Sequence, residues 1–136
     1  DVAQLLVLSA TADTDVLPAL SLLSHRVRNI IAEPARLVNA PVADLVFLDA
    51  RKDLANAKSL SRVLNTTGMS APLILVVTEA GLPALNAEWG AADIILESAG
   101  PGEIDARIRL AIGKAKEREG SDKPVCVAES LARLYT

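Results

Sequence analysis

The sequence has 136 residues, enough to close one hydrophobic core, and 51% of them are apolar while 2% are aromatic. A net charge of −3 with one Trp, one Tyr and one Phe argues against nucleic-acid binding by this segment, because such binding needs a cationic surface or stacking platforms. The single cysteine, Cys126, excludes an intrachain disulfide and suits the cytoplasm. No apolar run is long enough to span a bilayer, so we expect no membrane contact.

Short apolar runs alternate with amphipathic stretches along the chain. The predicted strands cover residues 4–9, 27–33, 44–49, 72–78 and 92–98. The predicted helices begin near Asp15, which would cap the first of them, and then cover 34–41, 53–68, 81–90 and 100–119. The apolar face of the last helix consists of Ile104, Ile108, Ala111 and Ala115. Five strands alternating with five helices predict an α/β fold, a doubly wound five-stranded parallel sheet of the flavodoxin-like (βα)5 type.

The last nineteen residues differ in character from the rest. The stretch "REGSDK" is polar, and "PVCVAESLARLYT" after it resembles one or two strands without their partners. The sequence also starts at Asp1 without a methionine, so we expect a fragment of a longer protein. The predicted organisation is one domain at 1–117, followed at 118–136 by a linker and the first strands of a truncated second domain.

In a doubly wound sheet, functional residues gather at the carboxyl ends of the strands. The polar residues predicted at those ends are Ser9, Asp49, Arg51, Thr78 and Glu97. The end of the first strand has no glycine-rich turn, so a dinucleotide-binding enzyme is not expected. His25 has no evident Cys or Asp partner in the sequence, and we predict that it is a surface histidine.

The order and spacing of these residues resemble a response-regulator receiver domain. Asp49 ends the third strand, Thr78 ends the fourth, and "GAADIILESAGPGEIDARIRLAI" is similar to the corresponding part of OmpR/PhoB-type receivers in two-component systems. The blocks "LILVVTEAGLPALNAEWG" and "AGPGEIDARIRLAIG" further resemble GlnR, the atypical orphan regulator of nitrogen metabolism in actinobacteria. The resemblance covers residues 4–117.

That resemblance implies a function for the whole protein. A GlnR-type receiver works without phosphorylation and serves as a constitutive homodimerisation module. A winged-helix domain follows it and binds DNA; its first strands would lie in 118–136 here. The implied partners are a second copy of the chain, DNA through the other domain, and RNA polymerase.

The chain departs from a working receiver at the residues that hold Mg²⁺ and the phosphoryl group. Ser9 and Ala10 stand where such a receiver has two acids, and Mg²⁺ requires hard oxygen ligands. Glu97 replaces the lysine that pairs with the phosphoryl oxygens. One unit charge pair at roughly 6 Å and an effective dielectric of about 20 is worth nearly 3 kcal/mol, so this reversal disfavours a phosphoryl dianion. We therefore expect no metal, no cofactor, no catalytic residue and no enzymatic activity.

Asp49 then needs another role, and two structural ones are available. A buried carboxylate requires a charged partner and hydrogen-bond donors. Arg51 with a hydroxyl of Ser9 or Thr78 would meet that need, and the resemblance assigns such charge interactions to Asp49, Arg51 and Ser9. The simpler alternative is that Asp49 caps the turn that follows it.

The resemblance also implies a dimer interface on the fourth helix, fifth strand and fifth helix. Its residues here are Glu88, Asp93, Glu103, Arg107 and Arg109. The implied intersubunit pairs are Asp93–Arg107 and Glu88–Arg109. A third pair fails because Pro83 stands where the family has the lysine that faces Glu103. The alternative needs no second subunit, since Glu103–Arg107 and Asp105–Arg109 are i,i+4 pairs on one helix.

Two other functions stay open at this point. The first is a conventional phosphoacceptor receiver in which Asp49 is the nucleophile. The second is a small enzyme or ligand-binding domain on the same sheet, for which no strand end supplies a nucleophile with its base or a phosphate-binding loop.

Overall fold

The computed structural model describes residues 2–11, 15–37, 40–66 and 69–122. Its strands are β1 (Gln4–Ser9), β2 (Arg26–Ile31), β3 (Leu45–Asp49), β4 (Leu73–Val77) and β5 (Asp93–Leu96). Its α-helices are α1 (Pro34–Leu37), α2 (Leu54–Thr66) and α3 (Pro101–Asp122), and 3₁₀ helices cover Pro18–Leu22, Glu79–Ala84 and Ala87–Trp89. All neighbouring strands are parallel in the order β2-β1-β3-β4-β5, so the predicted flavodoxin-like fold is confirmed.

The strand order creates a switch point between β1 and β3. The chain leaves β1 for the edge strand β2 and then returns to the other side of β1. Leu8 of β1 pairs with Leu48 of β3, so Ser9 and Asp49 lie next to each other at the carboxyl ends. Such a switch point is where open parallel sheets usually place their functional groups.

Two aliphatic layers cover the two faces of the sheet. One layer joins Phe47 and neighbouring strand residues to α3, where Ile104 and Ile108 are fully buried. The other joins the opposite strand faces to α2 and to Trp89. The central strands are buried on both faces because helices pack on each side, which explains their nearly uninterrupted apolar sequences.

Two of the five predicted α-helices are 3₁₀ segments instead. The segment after β1 is the short helix Pro18–Leu22; Asp15 does not cap it, because Leu17 holds the N-cap position and no side chain caps the turn. The predicted helix at 81–90 is split into two segments. Pro83 lies inside the first and lacks an amide donor, and Asn86 between them has an extended backbone with φ −155°.

The last helix runs further than the sequence predicts. It continues to Asp122, five residues past the predicted domain boundary at 117. Cys126 and the predicted strands of the second domain lie outside the described residues. None of the helices in the described ranges combines the length and the hydropathy that a membrane crossing requires.

Candidate functional site

Asp49 and Arg51 form a two-pronged ion pair at the carboxyl end of β3. The Arg51 Nε–H donates to Asp49 Oδ1 at 2.8 Å and its Nη2–H donates to Oδ2 at 3.1 Å. The backbone N–H of Arg51 also donates to Oδ1 at 3.1 Å. Asp49 therefore pairs with a charge and closes the following turn at once, so both structural roles occur together. The two side chains are 10% and 13% exposed, which places the pair largely out of water.

The same guanidinium reaches a second carboxylate after β5. Its Nη1–H donates to Glu97 Oε2 at 3.1 Å, and the Glu97 side chain is 42% exposed. The hydrogen bond with Asp49 raises the pKa of Arg51 above its ordinary value despite the opposing effect of burial. Arg51 is thus a permanent cation held between two acids, one buried and one at the surface.

The two predicted hydroxyl donors do not reach Asp49. Ser9 is buried, but its hydroxyl donates to the backbone carbonyl of Thr11. A serine has one proton to donate, and Ser9 donates it to that carbonyl, so the predicted Ser9–Asp49 bond is not formed. Thr78 lies at the end of β4, where its hydroxyl does not cap the following turn and has no bond to Asp49 among the described residues.

The residues at this strand edge do not fit Mg²⁺. In the described ranges no group of three or more His, Cys, Asp or Glu side chains is placed to hold a metal. Asp49 is the acid that ends a strand at the switch point, and Arg51 occupies both of its oxygens. A divalent cation would have to displace a guanidinium and would then have few hard ligands.

His25 is not the surface histidine that the sequence suggests. Its side chain is 9% exposed and lies just before β2. The backbone N–H of Ala3 donates to His25 Nδ1 at 3.0 Å, so the neutral ring carries its proton on Nε2. Nε2 lies 3.2 Å from Asp105 Oδ1, and Arg109 Nε donates to Asp105 Oδ2 at 3.0 Å. His25 therefore connects the start of β1 to α3.

The predicted interface residues lie on β5, α3 and the last 3₁₀ helix, and each has a partner in its own chain. Arg107 contacts Asp93 at 2.9 Å and Glu103 at 3.4 Å. Arg109 pairs with Asp105, as given above. Glu88 lies 3.6 Å from Lys58 Nζ, a contact that the sequence did not suggest. Of the two implied intersubunit pairs, Asp93–Arg107 is formed within one subunit, whereas Glu88 and Arg109 each pair with a different residue of their own chain.

Comparison with known proteins decides the family. The family model for the N-terminal domain of the transcription regulator GlnR matches residues 3–112. The chain belongs to this family. Together with the fold, the match identifies a receiver domain of a GlnR-like regulator. No sequence match was found among curated proteins.

Solved structures show the same receiver fold. NtrX from Brucella abortus, in complex with ADP, superimposes with a TM-score of 0.72 at 21% identity over 99% of this chain and 33% of its own. The receiver domain of a diguanylate cyclase from Desulfovibrio desulfuricans G20 gives a TM-score of 0.66 at 15% identity, over 87% of this chain and 99% of its own. The isolated NtrX receiver domain gives 0.57 at 22% identity, over 83% and 98%. This chain thus spans about a third of the NtrX chain solved with ADP.

Sequence reasoning missed two contacts of this GlnR-type receiver. The sequence predicts that Glu97 disfavours a phosphoryl group, and the structure adds that Glu97 accepts a hydrogen bond from Arg51. The charge reversal at that position was the available signal, because an acid in place of a lysine implies a cation nearby. The His25–Asp105 contact joins residues 80 positions apart, and no local pattern predicts it.

We expect the two carboxylates around Arg51 to differ in their contribution to stability. Arg51→Met leaves Asp49 buried and unpaired, which should lower the free energy of unfolding by about 3 kcal/mol. Glu97→Gln removes a partly exposed partner and should cost less than about 1 kcal/mol. The apolar double variant Asp49→Leu/Arg51→Met should recover most of the loss, since no unpaired charge remains. Urea unfolding measures all three, and equal costs for Arg51→Met and Glu97→Gln would contradict the assignment.

The pKa of the Asp105 carboxyl should depend on both of its partners, His25 and Arg109. The hydrogen bond from His25, and secondarily that from Arg109, lowers the pKa of Asp105. Because the pKa of Asp105 is lower in the folded chain, ionised Asp105 stabilises the fold at any pH above the ordinary aspartate pKa. This contribution is lost as the pH falls through the lowered pKa of the folded chain. His25→Phe should therefore raise the Asp105 pKa, and Arg109→Gln should raise it less. Carboxyl ¹³C NMR titration measures the shift; an unchanged Asp105 curve in His25→Phe would refute the contact.

Proposed function

We propose that this chain is a phosphorylation-independent receiver domain that mediates homodimerisation of a DNA-binding transcription regulator of nitrogen metabolism. The proposal is carried by the Arg51 guanidinium, which pairs with Asp49 and reaches Glu97 in the resting chain. The domain has no enzymatic role and belongs to an actinobacterial cytoplasmic protein. DNA is bound by a winged-helix domain outside this domain, and RNA polymerase is a further partner of the whole regulator.

The charges at the strand edge support independence from phosphorylation. A phosphoryl donor must approach an Asp49 oxygen, yet both oxygens accept hydrogen bonds from a guanidinium. Glu97 lies where a conventional receiver presents a cation, so a transferred phosphoryl group would meet a like charge. Ser9 and Ala10 supply no acid to hold Mg²⁺. These features disfavour the conventional phosphoacceptor function of Asp49.

The same ion pairs support a receiver whose active arrangement needs no modification. Asp49 ends β3 and Glu97 follows β5, with β4 between those strands in the sheet. Arg51 therefore spans the carboxyl end of β4 and ties the outer strand to the centre. β5 carries Asp93, which contacts α3 through Arg107. The proposed interface elements are thus positioned by an internal cation instead of a phosphoryl group.

Opposite charges on β5 and α3 support dimerisation through this face. Asp93, Glu103 and Arg107 are all partly exposed, and Arg107 contacts both acids. In a two-fold dimer the same patch meets itself, so a patch that carries both signs can place an acid of one subunit opposite a base of the other. Pairs made within one chain can exchange for pairs between chains at little electrostatic cost. The dimer interface that we propose comprises Glu88, Asp93, Glu103, Arg107 and Arg109.

A phosphoryl mimic tests the function directly. Wild type should sediment as a dimer at micromolar concentration, with the same association constant in the presence and absence of beryllofluoride and Mg²⁺. Asp49→Ala should dissociate, because it leaves Arg51 without its buried partner; far-UV circular dichroism checks that the variant folds. A monomer that dimerises on addition of the mimic would establish Asp49 as a phosphoacceptor instead.

Charge reversal separates pairing between subunits from pairing within one. Asp93→Arg alone places two cations together, and Arg107→Asp alone places two acids together, so each variant should be monomeric. Mixed one to one, the two variants should form a heterodimer. The arginine introduced into one chain then faces the aspartate introduced into the other, and the two unchanged residues form the second complementary pair across the two-fold axis. The proposed interface requires both results.

A matched control excludes a general charge effect. Lys116→Glu changes the charge of α3 outside the proposed interface, so it should leave the wild-type dimer intact. If the equimolar mixture of Asp93→Arg and Arg107→Asp stays monomeric while the control dimerises, the Asp93–Arg107 contact belongs to one subunit and the proposed interface is wrong.

A further inference from the structure

The edge strand β2 is exposed on both of its faces. Its first four residues, Arg26–Asn29, are all exposed, whereas the interior strands β1, β3 and β4 are almost entirely buried. Parallel strands are normally covered by helices on both sides of the sheet. The helices that follow β1 and β2 have five and four residues, so they are roughly 10 Å and 6 Å long. Neither is long enough to cover a strand of about 20 Å.

The outer side of β2 presents a row of backbone hydrogen-bonding groups. On the inner side, the Arg26 N–H donates to the Ala3 carbonyl at 3.0 Å, and the Ala32 N–H donates to the Ser9 carbonyl at 2.7 Å. Backbone groups along a strand point alternately to its two sides, so the odd-numbered residues of β2 direct theirs outwards. In the described part of the chain no strand pairs with that outer side. The outward N–H groups belong to Val27, Asn29 and Ile31.

Two arginines stand side by side on one face of this strand. Arg26 and Arg28 are two residues apart, so their side chains point to the same face at a spacing of about 7 Å. Ile30, two residues further on, packs against the layer that contains α2, which identifies the face. Within the described ranges neither arginine has an ion pair. Two exposed cations therefore flank an open strand edge in a chain that carries −3.

These charges disfavour a second copy of β2 as the occupant of the edge. In an antiparallel pair of two β2 strands, outward residues lie opposite outward residues, so the even-numbered residues also lie opposite one another. Arg26 and Arg28 would then face the same arginines of the other copy, directly or diagonally. Like charges in cross-strand positions destabilise a sheet, whereas opposite charges stabilise it. A strand with acids at alternate positions has the complementary pattern.

We propose that β2 binds an extended acidic segment of another protein, which adds to the sheet as a sixth strand. The backbone of the segment pairs with the outward groups of β2, and two of its acids, two residues apart, face Arg26 and Arg28. A β-branched residue between them lies beside Val27, which is 37% exposed. The inference goes beyond the proposed function and does not depend on it, because β2 and β5 are opposite edges of the sheet.

Capped peptides of about seven residues test the edge on the ¹⁵N-labelled whole chain. The first alternates threonine with glutamate; the second and third have glutamine or lysine in place of glutamate. The glutamate peptide should shift the β2 amide signals with saturation. The glutamine peptide should bind at least about threefold more weakly and the lysine peptide more weakly still, because they lack or reverse the two charge pairs. Sodium chloride at about 0.5 M should remove the advantage of the glutamate peptide.

Hydrogen exchange identifies what occupies the outer side. In the free chain the amides of Val27, Asn29 and Ile31 should exchange faster than those of Arg28 and Ile30, which point to β1. The glutamate peptide should slow the three outward amides. Outward amides that are already protected without peptide would show that the chain covers its own edge, and protection that rises with protein concentration would show a second copy. Either result would overturn the proposal.

Charge variants assign the binding to the two arginines. Arg26→Gln/Arg28→Gln should lower the affinity for the glutamate peptide to that for the glutamine peptide. The matched control Arg62→Gln/Lys116→Gln removes the same charge from exposed positions of α2 and α3, and should change the affinity by less than about twofold.

A backbone variant tests the added strand. Asn29→Pro removes an outward N–H and leaves the hydrogen bonds to β1 in place, so it should abolish binding of the glutamate peptide. The amide signals of β1 check that the variant folds. A glutamate peptide with N-methylated backbone makes the same test on the unaltered chain and should not bind.

The charge and backbone results together decide the proposal. Saturable shifts confined to β2, weakened by Arg26→Gln/Arg28→Gln and absent with the N-methylated peptide, support it. Absence of shifts, equal binding of the glutamate and glutamine peptides, equal losses in the matched control, or binding of the N-methylated peptide would each overturn it. None of these results depends on whether the chain dimerises through β5 and α3 or whether Asp49 is phosphorylated.

Discussion

The Arg51 guanidinium between Asp49 and Glu97 is the interaction on which the functional end of the molecule depends. Asp49 is nearly buried at the switch point of the sheet, and a buried carboxylate without a compensating cation would cost several kcal/mol. Most of that compensation comes from a residue two positions further along the chain. The cation beside Asp49 is the Arg51 side chain and not a bound Mg²⁺. The lack of acids at Ser9 and Ala10 and the acid at Glu97 are both consistent with this.

An internal cation also changes the mechanics of the sheet. The guanidinium spans the carboxyl end of β4, so a side chain joins β3 to β5, and the backbones of both strands hydrogen-bond to β4 between them. Those bonds continue beyond the strands, because the Ala50 N–H donates to the Val76 carbonyl and the Glu97 N–H to the Val77 carbonyl. Backbone hydrogen bonds and the Arg51 side chain therefore connect β4 to β3 on one side and to β5 on the other at the carboxyl edge.

The sequence predicts the sheet, α2 and α3 because their apolar periodicity is local and strong. It overestimates two helices that form as short 3₁₀ turns. Pro83 lies inside one of them and lacks an amide donor, whereas Pro18 begins the other, where a missing donor costs no helical hydrogen bond. The contact of Asp49 with Arg51 follows from their spacing, but the contact with Glu97 requires the strand order and spans 46 residues. The Ser9 hydroxyl illustrates the limit: its location was inferable, but the direction of its single proton was not.

Charge balance at the carboxyl edge determines where regulation can act. A ligand shifts an equilibrium only through its difference in affinity for two states. Asp49 is paired, Glu97 is an acid, and Ser9 and Ala10 supply no acids for Mg²⁺; for these reasons we propose that a phosphoryl group has little affinity for either state at this edge. The amino edge differs, because Asp93 begins β5 there and contacts Arg107 on the surface that we propose for dimerisation. Any ligand that alters the Asp93–Arg107 contact would act on that surface directly, without passing through the closed network around Arg51.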